Sequence, residues 1–320
     1  MREKERCVLI DGHSLAYRAF YALPRDLATS SGQITNAVYG FTSMLIKIME
    51  DLKPTSIITA FDKGKPEFRL EKYEEYKSHR KPMPDELREQ MDIIHAVLEA
   101  LGIPCLEEEG YEADDVLATL KKALPEDEEV YIVTGDRDAL QLVDDRVRVV
   151  ANRKGLTDIT VYDTDKVEER YGVKPSQIVD YLALKGDASD NIPGVPGIGK
   201  KGASSLIEEY GSLDEIYENL DKIKGRFKKA LEGNKDIALM SRELARMRGD
   251  VPIEEEIDEL SGFRPWNDDK LQALFSTLEF KSLFDRIQAL KPVLFPGVGE
   301  TGEKRQGIEP SKEIIVEGDN

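Results

Sequence analysis

With 320 residues, 40% of them hydrophobic and 34% charged, the chain has the composition of a soluble globular protein with one large or two modest domains. No run approaches the roughly 18 apolar residues of a membrane-spanning helix, and CVLI after the basic start is too short for a secretory signal, so a cytoplasmic protein is expected. Two cysteines in apolar contexts (Cys7, Cys105) and three histidines (His13, His79, His95) argue against a disulfide scaffold or a Cys/His zinc site, while a net charge of −18 counts against a nucleic-acid partner unless the acids are specially placed.

Their placement is informative. Three short apolar runs each end in aspartate: CVLID at 7–11, SIITAFD at 56–62 and VYIVTGD at 130–136. Between them, helix-period patterns cover TNAVYGFTSMLIKIMEDL (35–52) and LREQMDIIHAVLEALG (87–102). Alternating strands and helices predict a mostly parallel central sheet flanked by helices. In such sheets ligands sit beyond the carboxyl ends of the strands, so Asp11, Asp62 and Asp136 are expected along one edge.

Between the second strand and the next helix, residues 64–87 alternate Arg69, Lys72, Lys77, Arg80 and Lys81 with Tyr73 and Tyr76. A mixed-charge helix is ordinarily a solvated face, and Glu71, Glu74 and Glu75 support that. Lys77 and Arg80, however, are i, i+3 neighbours on one helical face and could lean over the acid edge to neutralise phosphate. EADD (Glu112, Asp114, Asp115) opens a predicted helix, DDVLATLKKAL, where acids also serve as first-turn caps; for that cluster alone the two readings stand level. GDRD adds Asp136 and Asp138, and GDASD adds Asp187 and Asp190. So many carboxylates at one edge repel one another, and bound divalent cations are the natural compensation. Two such ions can activate water and stabilise the leaving oxygen in phosphodiester cleavage, without a His or Ser nucleophile.

The chemistry-bearing segments divide the chain into an α/β unit over 1–175, a helical unit over 176–290 joined by Gly/Pro turns, and a Gly- and charge-rich linker or disordered tail over 291–320. The stretch IPGVPGIGKKGA (192–203) has the small-residue pattern of a helix-hairpin-helix turn. Gly194, Gly197 and Gly199 permit a tight backbone whose N–H groups can cradle a phosphate, with Lys200 and Lys201 adding charge. Gly194, Gly199 and Lys200 also have Walker A spacing, but Lys201 replaces the required Ser or Thr and no strand precedes, so nucleotide binding is rejected.

With LIDGHSLAYRAFYAL, AFD, YKSHRKPMPDEL, GYEADDVLATL, VTGDRDALQLV and YLALKGDASDNIPGVPGIGKKGA in place, the chain resembles the 5′-nuclease domain of bacterial DNA polymerase I, of the flap endonuclease family, over 7–290. That resemblance implies metal ligation by Asp11, Asp62, Glu112, Asp114, Asp115, Asp136, Asp138, Asp187 and Asp190, holding two Mg²⁺ ions for which Mn²⁺ can substitute. It implies a helical arch over about 64–100 in which Lys77 and Arg80 stabilise the scissile phosphate, and DNA contacts from Tyr17, Arg18 and Tyr76. A K⁺ ion is implied at the hairpin. The expected activity is metal-assisted 5′–3′ exonuclease and flap endonuclease cleavage in replication and repair. The expected substrates are 5′ flaps, nicks, single-strand/duplex junctions and RNA-primed DNA, with nucleoid association and a DNA polymerase as partner. Two rivals are a PIN-type ribonuclease, which has no reason to carry the hairpin, and a non-catalytic branched-DNA-binding module.

Overall fold

The computed structural model describes residues 5–295 apart from Thr157, Ser261, Phe263 and Pro265. The part of the expected tail that lies over 296–320 falls outside the described residues. Six strands form one sheet: β1 (Arg6–Asp11), β2 (Ser56–Lys63), β3 (Cys105–Glu109), β4 (Glu129–Val133), β5 (Val147–Lys154) and β6 (Asp158–Tyr162), in the order β3-β2-β1-β4-β5-β6. All neighbours are parallel except β5 and β6.

The helices of the first half are α1 (Gly12–Ala22), α2 (Asn36–Leu52), α3 (Glu67–Lys72), α4 (Asp85–Ala100), α5 (Ala113–Ala123) and α6 (Thr164–Tyr171). Those of the second half are α7 (Ile178–Lys185), α8 (Lys200–Tyr210), α9 (Leu213–Glu218), α10 (Gly225–Glu232), α11 (Lys235–Ala245), α12 (Ile257–Leu260), α13 (Asp268–Thr277) and α14 (Lys281–Leu294).

The sheet is covered on both sides because its central strands carry apolar residues on both faces, which period-2 geometry turns alternately to the two sides. Cys7 and Leu9 of β1, Ile58 and Ala60 of β2 and Val130 and Ile132 of β4 face one core, shared with α5 and α7–α11. The alternate residues Val8, Ile10, Ile57, Phe61 and Val133 face a second core with α1, α2, α4, α13 and α14. Each such buried side chain contributes about 1.5–3 kcal/mol, enough to fix strand register.

The two cores revise the expected helical unit over 176–290. Trp266, Leu271, Phe275, Leu283 and Ile287 pack with α2 and α4 on the far side of the sheet, so α13 and α14 return to the α/β layer. Helix α14 also runs to Leu294, past the expected break at 291. Pro292 lies in its last turn, and Phe295 meets Trp266 edge-on at 5.3 Å, which holds the helix end against the core.

Candidate active site

Parallel pairing brings the strand ends to one edge. Asp11 closes β1 opposite Ala60, Asp62 lies two residues further along β2, and Asp136 follows β4 by a short turn. Local hydrogen bonds then aim each carboxylate. Asp11 accepts from Ser14 N (2.9 Å), capping α1, and from Thr134 Oγ1 (2.9 Å). Asp62 accepts from Ala113 N (2.8 Å), which ties the end of β2 to the start of α5, while its own N–H donates to His13 Nδ1 (3.0 Å). Asp136 accepts from Asp138 N (2.9 Å), and Asp187 from Ser189 N (2.7 Å) and Ser189 Oγ (2.6 Å). Backbone and hydroxyl donors, a helix cap in the case of Asp11, therefore position these acids.

The edge opens into a cleft of about 1410 Å³ lined by Asp11, Asp62, Glu112, Asp114, Asp136, Asp138 and Asp187. Four of these are poorly compensated. Burial first, then repulsion from Asp62, pushes the Asp11 carboxyl up to about 7. Burial raises Asp114 and Asp138 well above the ordinary carboxylate range, reinforced by Asp136 in each case, and burial with Asp190 raises Asp136 itself. Asp114 Oδ1 is fully enclosed and has no hydrogen-bond partner.

The remaining acids are met by the chain's own cations. Asp115 is wholly buried and takes both oxygens to Arg69, at 2.6 and 2.8 Å, with further N–H donors from Arg248 (2.8 Å) and Glu112 (3.3 Å). It does not line the cleft, and both its oxygens have protein partners where a metal ion was expected. The physical reason is helical phase: consecutive residues of α5 point about 100° apart, which sends Asp114 to the cleft and Asp115 to the interior. Arg69 itself donates to the carbonyls of Leu244 (3.1 Å) and Arg246 (3.1 Å), joining α3, α5 and the end of α11. It also meets Glu112 at 2.9 Å.

The segment expected as a helical arch is helical only at α3 and α4. Residues 74–79 form turns and 80–84 have no regular structure, with Lys77 in the left-handed region (φ 52°) and Pro82 and Pro84 barring helix. Lys77 and Arg80 thus do not share a helical face; they fold down onto the edge. Lys77 N donates to Asp190 O (3.0 Å), and its ammonium pairs with Glu112 and with Asp190 (3.2 Å). Arg80 pairs with the other Asp190 oxygen. Tyr76 was expected against DNA but is buried, its hydroxyl donating to Glu112 (2.9 Å) and Asp190 (3.0 Å). Burial opposes ionising Asp190, yet Lys77 and Arg80 outweigh it and hold that carboxyl below the ordinary range.

Tyr17 and Arg18 both line the cleft, and Arg18 Nε donates to Gly155 O (3.1 Å). Tyr21, one helical turn on and 60% exposed, stacks beside Tyr17 with centroids 6.3 Å apart. At the hairpin, Asp187 and Ile192 form an antiparallel bridge and Gly199 caps α8. Gly194 (φ 63°) packs directly on Gly186, where a Cβ would lie 2.2 Å from Gly186 N, and its own N–H donates to Ser241 Oγ (3.1 Å). Gly197 (φ 88°) has nothing nearby, so its requirement is conformational. Lys200 lines the cleft and Lys201 the groove beside it. Sequence reasoning missed Arg69, whose partner Asp115 is 46 residues away, and Tyr21, which the i, i+4 spacing from Tyr17 would have flagged.

Among the described residues, no three His, Cys, Asp or Glu side chains converge tightly enough to cage one ion. The donor chemistry nevertheless fits hard divalent cations: an orphaned buried carboxylate oxygen and four carboxylates raised by burial and mutual repulsion face one cleft. A carboxylate edge on a parallel sheet, walled by lysines and arginines and followed by a helix-hairpin-helix turn, is the arrangement of a nuclease.

Comparison with known proteins gives the family. Residues 6–172 match the 5′-3′ exonuclease N-terminal resolvase-like domain and residues 173–269 the 5′-3′ exonuclease C-terminal SAM fold. The chain belongs to the 5′–3′ exonuclease family. DNA polymerase I of Mycobacterium bovis is 48% identical over 288 residues, covering 89% of this chain and 32% of that protein. DNA polymerase I of Bacillus subtilis is 45% identical over 289 residues, covering 90% and 33%. The chain thus spans about a third of the length of these relatives. In fold it is similar to the bacteriophage T5 D15 flap endonuclease, solved with DNA and metal ions (TM-score 0.64, 21% identity, 89% of this chain and 98% of that one). It is also similar to the catalytic core of Rad2 in complex with DNA substrate (TM-score 0.61, 17% identity, 91% and 93%).

Proposed function

We propose that the chain is a divalent-metal-dependent, structure-specific 5′–3′ exonuclease and flap endonuclease. It hydrolyses phosphodiesters of DNA and RNA-primed DNA near single-strand/duplex junctions, leaving a 5′-phosphate and a 3′-hydroxyl. The observation that carries this is the set of poorly compensated carboxylates, Asp11, Asp114, Asp136 and Asp138, gathered beyond the ends of the parallel strands and at the start of α5 in a cation-walled cleft. Two Mg²⁺ ions (or Mn²⁺) held by these acids with Asp62, Glu112 and Asp187 would supply a water that ionises near neutral pH and positive charge for the phosphate oxygens.

The protein's own part is positioning and charge. Without DNA, Lys77 and Arg80 neutralise Glu112 and Asp190. An entering phosphate competes for the same two cations, and as they turn toward it Glu112 and Asp190 are released to the metal edge. Tyr17 and Tyr21 offer flat faces to a base at the junction. The free N–H groups at the start of α8, with Lys200 and Lys201, take a duplex phosphate, and a K⁺ ion at the hairpin belongs to the same reading. Replication and repair, with a polymerase as partner, follow from the activity and from the polymerase relatives.

The test is cleavage of an end-labelled 5′-flap duplex with Mg²⁺ and with chelator, mapping the cut. Cleavage near the junction in Mg²⁺ and none in chelator supports the reading. An uncut flap despite tight binding marks a binding module instead, and preferential cutting of single-stranded RNA marks a ribonuclease.

A further inference from the structure

The acid cleft does not end at the metal edge. A second groove of about 430 Å³ adjoins it, and the walls they share include Arg137, Arg170 and Lys200. Lys166 and Lys185 line the cleft side and Lys201 the groove side. Six cations from four separate places in the chain therefore form one track: the turn after β4, two positions of α6, the last residue of α7 and the first two of α8. Lys166 and Arg170 are i, i+4 neighbours and so share one face of α6.

Two features set this track apart from an ordinary charged surface. The chain carries a net charge of −18, so six cations gathered beside an acid edge run against its composition. Among the described residues, moreover, none of the six lies in an ion pair, whereas Arg69, Lys77, Arg80, Arg242, Arg248 and Arg286 all do. Arg170 is held by the Tyr162 hydroxyl (2.6 Å) and lies near the Tyr162 and Tyr171 rings, at 5.6 and 5.7 Å. Lys166 donates to Val161 O (2.7 Å) and Lys185 sits over Tyr181. These contacts orient the cations; Glu169 and Glu208 line the same walls without an ion pair to them among the described residues, and Lys185 lies within electrostatic reach of Asp138. Arg137, between Asp136 and Asp138, is exposed, and among the described residues its guanidinium has no partner. Oriented cations in a groove are suited to a polyanion.

We propose that Arg137 and Arg170, with Lys166 and Lys185, form a phosphate track that carries the backbone of one nucleic-acid strand from the acid edge to the hairpin. This rests on the nucleic-acid reading above and adds to it a path: the strand bound at the edge continues past α6 to the start of α8. The ligand is recognised as a run of phosphodiesters, not by base sequence, since the four named side chains present cationic donors for phosphate oxygens.

The test is fluorescence anisotropy of a labelled 5′-flap duplex in chelator, so that binding is read apart from cleavage. Arg137→Ala with Arg170→Ala should bind about tenfold more weakly, the scale of a lost charge-assisted contact. The slope of log Kd against log salt should fall by about 2, as expected when two phosphate contacts are removed. Lys224→Ala with Lys281→Ala, which removes the same charge at exposed positions that do not line the cleft or the groove, should leave both quantities within about twofold and one half unit, respectively. Arg137→Ala with Arg170→Lys keeps one cation and the ring contacts, and should lose about one unit of slope; it guards against a fold defect at Arg170. Unchanged affinity and slope in the double alanine variant overturn the track. Absence of Mg²⁺-dependent cleavage by the wild type, with these binding differences intact, would instead fail the nuclease reading alone.

Discussion

The carboxylates packed against residues 69–80, Glu112, Asp115 and Asp190, are met by cations, whereas Asp114 and those beyond β1 and β4 are met by one another. Arg69, Lys77 and Arg80 with the Tyr76 hydroxyl satisfy the first group. Asp11, Asp114, Asp136 and Asp138 are instead raised by burial and by their neighbours. The contrast is sharpest at Asp114 and Asp115, adjacent in sequence and opposite in use. It teaches that nine acids in one family pattern need not do one job: some form the site, and others hold the frame on which the site is hung.

The largest expected effect separates those two residues. Asp114→Asn should lower the single-turnover rate in Mg²⁺ by about 10³-fold, as for loss of a major electrostatic group, and the variant should be at least as heat-stable as wild type in chelator. Asp115→Ala should instead cost about 3 kcal/mol of stability, because the buried Arg69 loses its two-oxygen partner and keeps only Glu112 as a counter-charge. Thermal melts of both variants beside their rates check this, and equal melting temperatures would erase the distinction.

The two groups should also carry opposite pH signatures. An acid raised in the folded protein keeps a proton that the unfolded chain has released, so it destabilises as pH rises from its ordinary value. Metal-free protein should therefore lose stability as pH rises from the ordinary carboxylate pKa of 3.8, with the Asp11 part of that loss complete above about 7. Asp190 has the opposite sign: held low, it contributes stability that is lost as pH falls below its ordinary value. Melting temperature against pH in chelator should show both limbs, and Mg²⁺ should flatten the upper one. A Mg²⁺-independent upper limb would place the raised acids outside the metal site.

The smallest effect concerns the cation-met side. Tyr76→Phe removes two hydrogen bonds to carboxylates and should cost about 1.5–3 kcal/mol, with a far smaller loss of rate than Asp114→Asn. Chemical denaturation and single-turnover cleavage of the same sample measure both.

Much of this was legible before any coordinates. β1, β2 and β4 declare themselves as apolar runs closed by aspartate, and their parallel pairing follows from the helices between them. β3 did not, because CLEEE is an edge strand whose acids face outward and carry no apolar alternation. The nine acids could be named from motif alone, but not their division. Whether Asp115 meets a metal or an arginine depends on helical phase and on a partner 46 residues away. The placement of Lys77 over the edge was legible, but not the local backbone or the burial of Tyr76: alternation with charge suggests a solvated helix, and the arrival of Asp190 from the second half of the chain folds both residues inward.

The back-to-back contact of Gly186 and Gly194 has a consequence for where the cut falls. It bolts the hairpin to the end of α7, one residue before Asp187, leaving no slack between the element that would hold a duplex and an acid of the cutting edge. Such a joint acts as a ruler. The cleavage point would be measured from the duplex, at a fixed offset, and would be indifferent to how long the free strand happens to be.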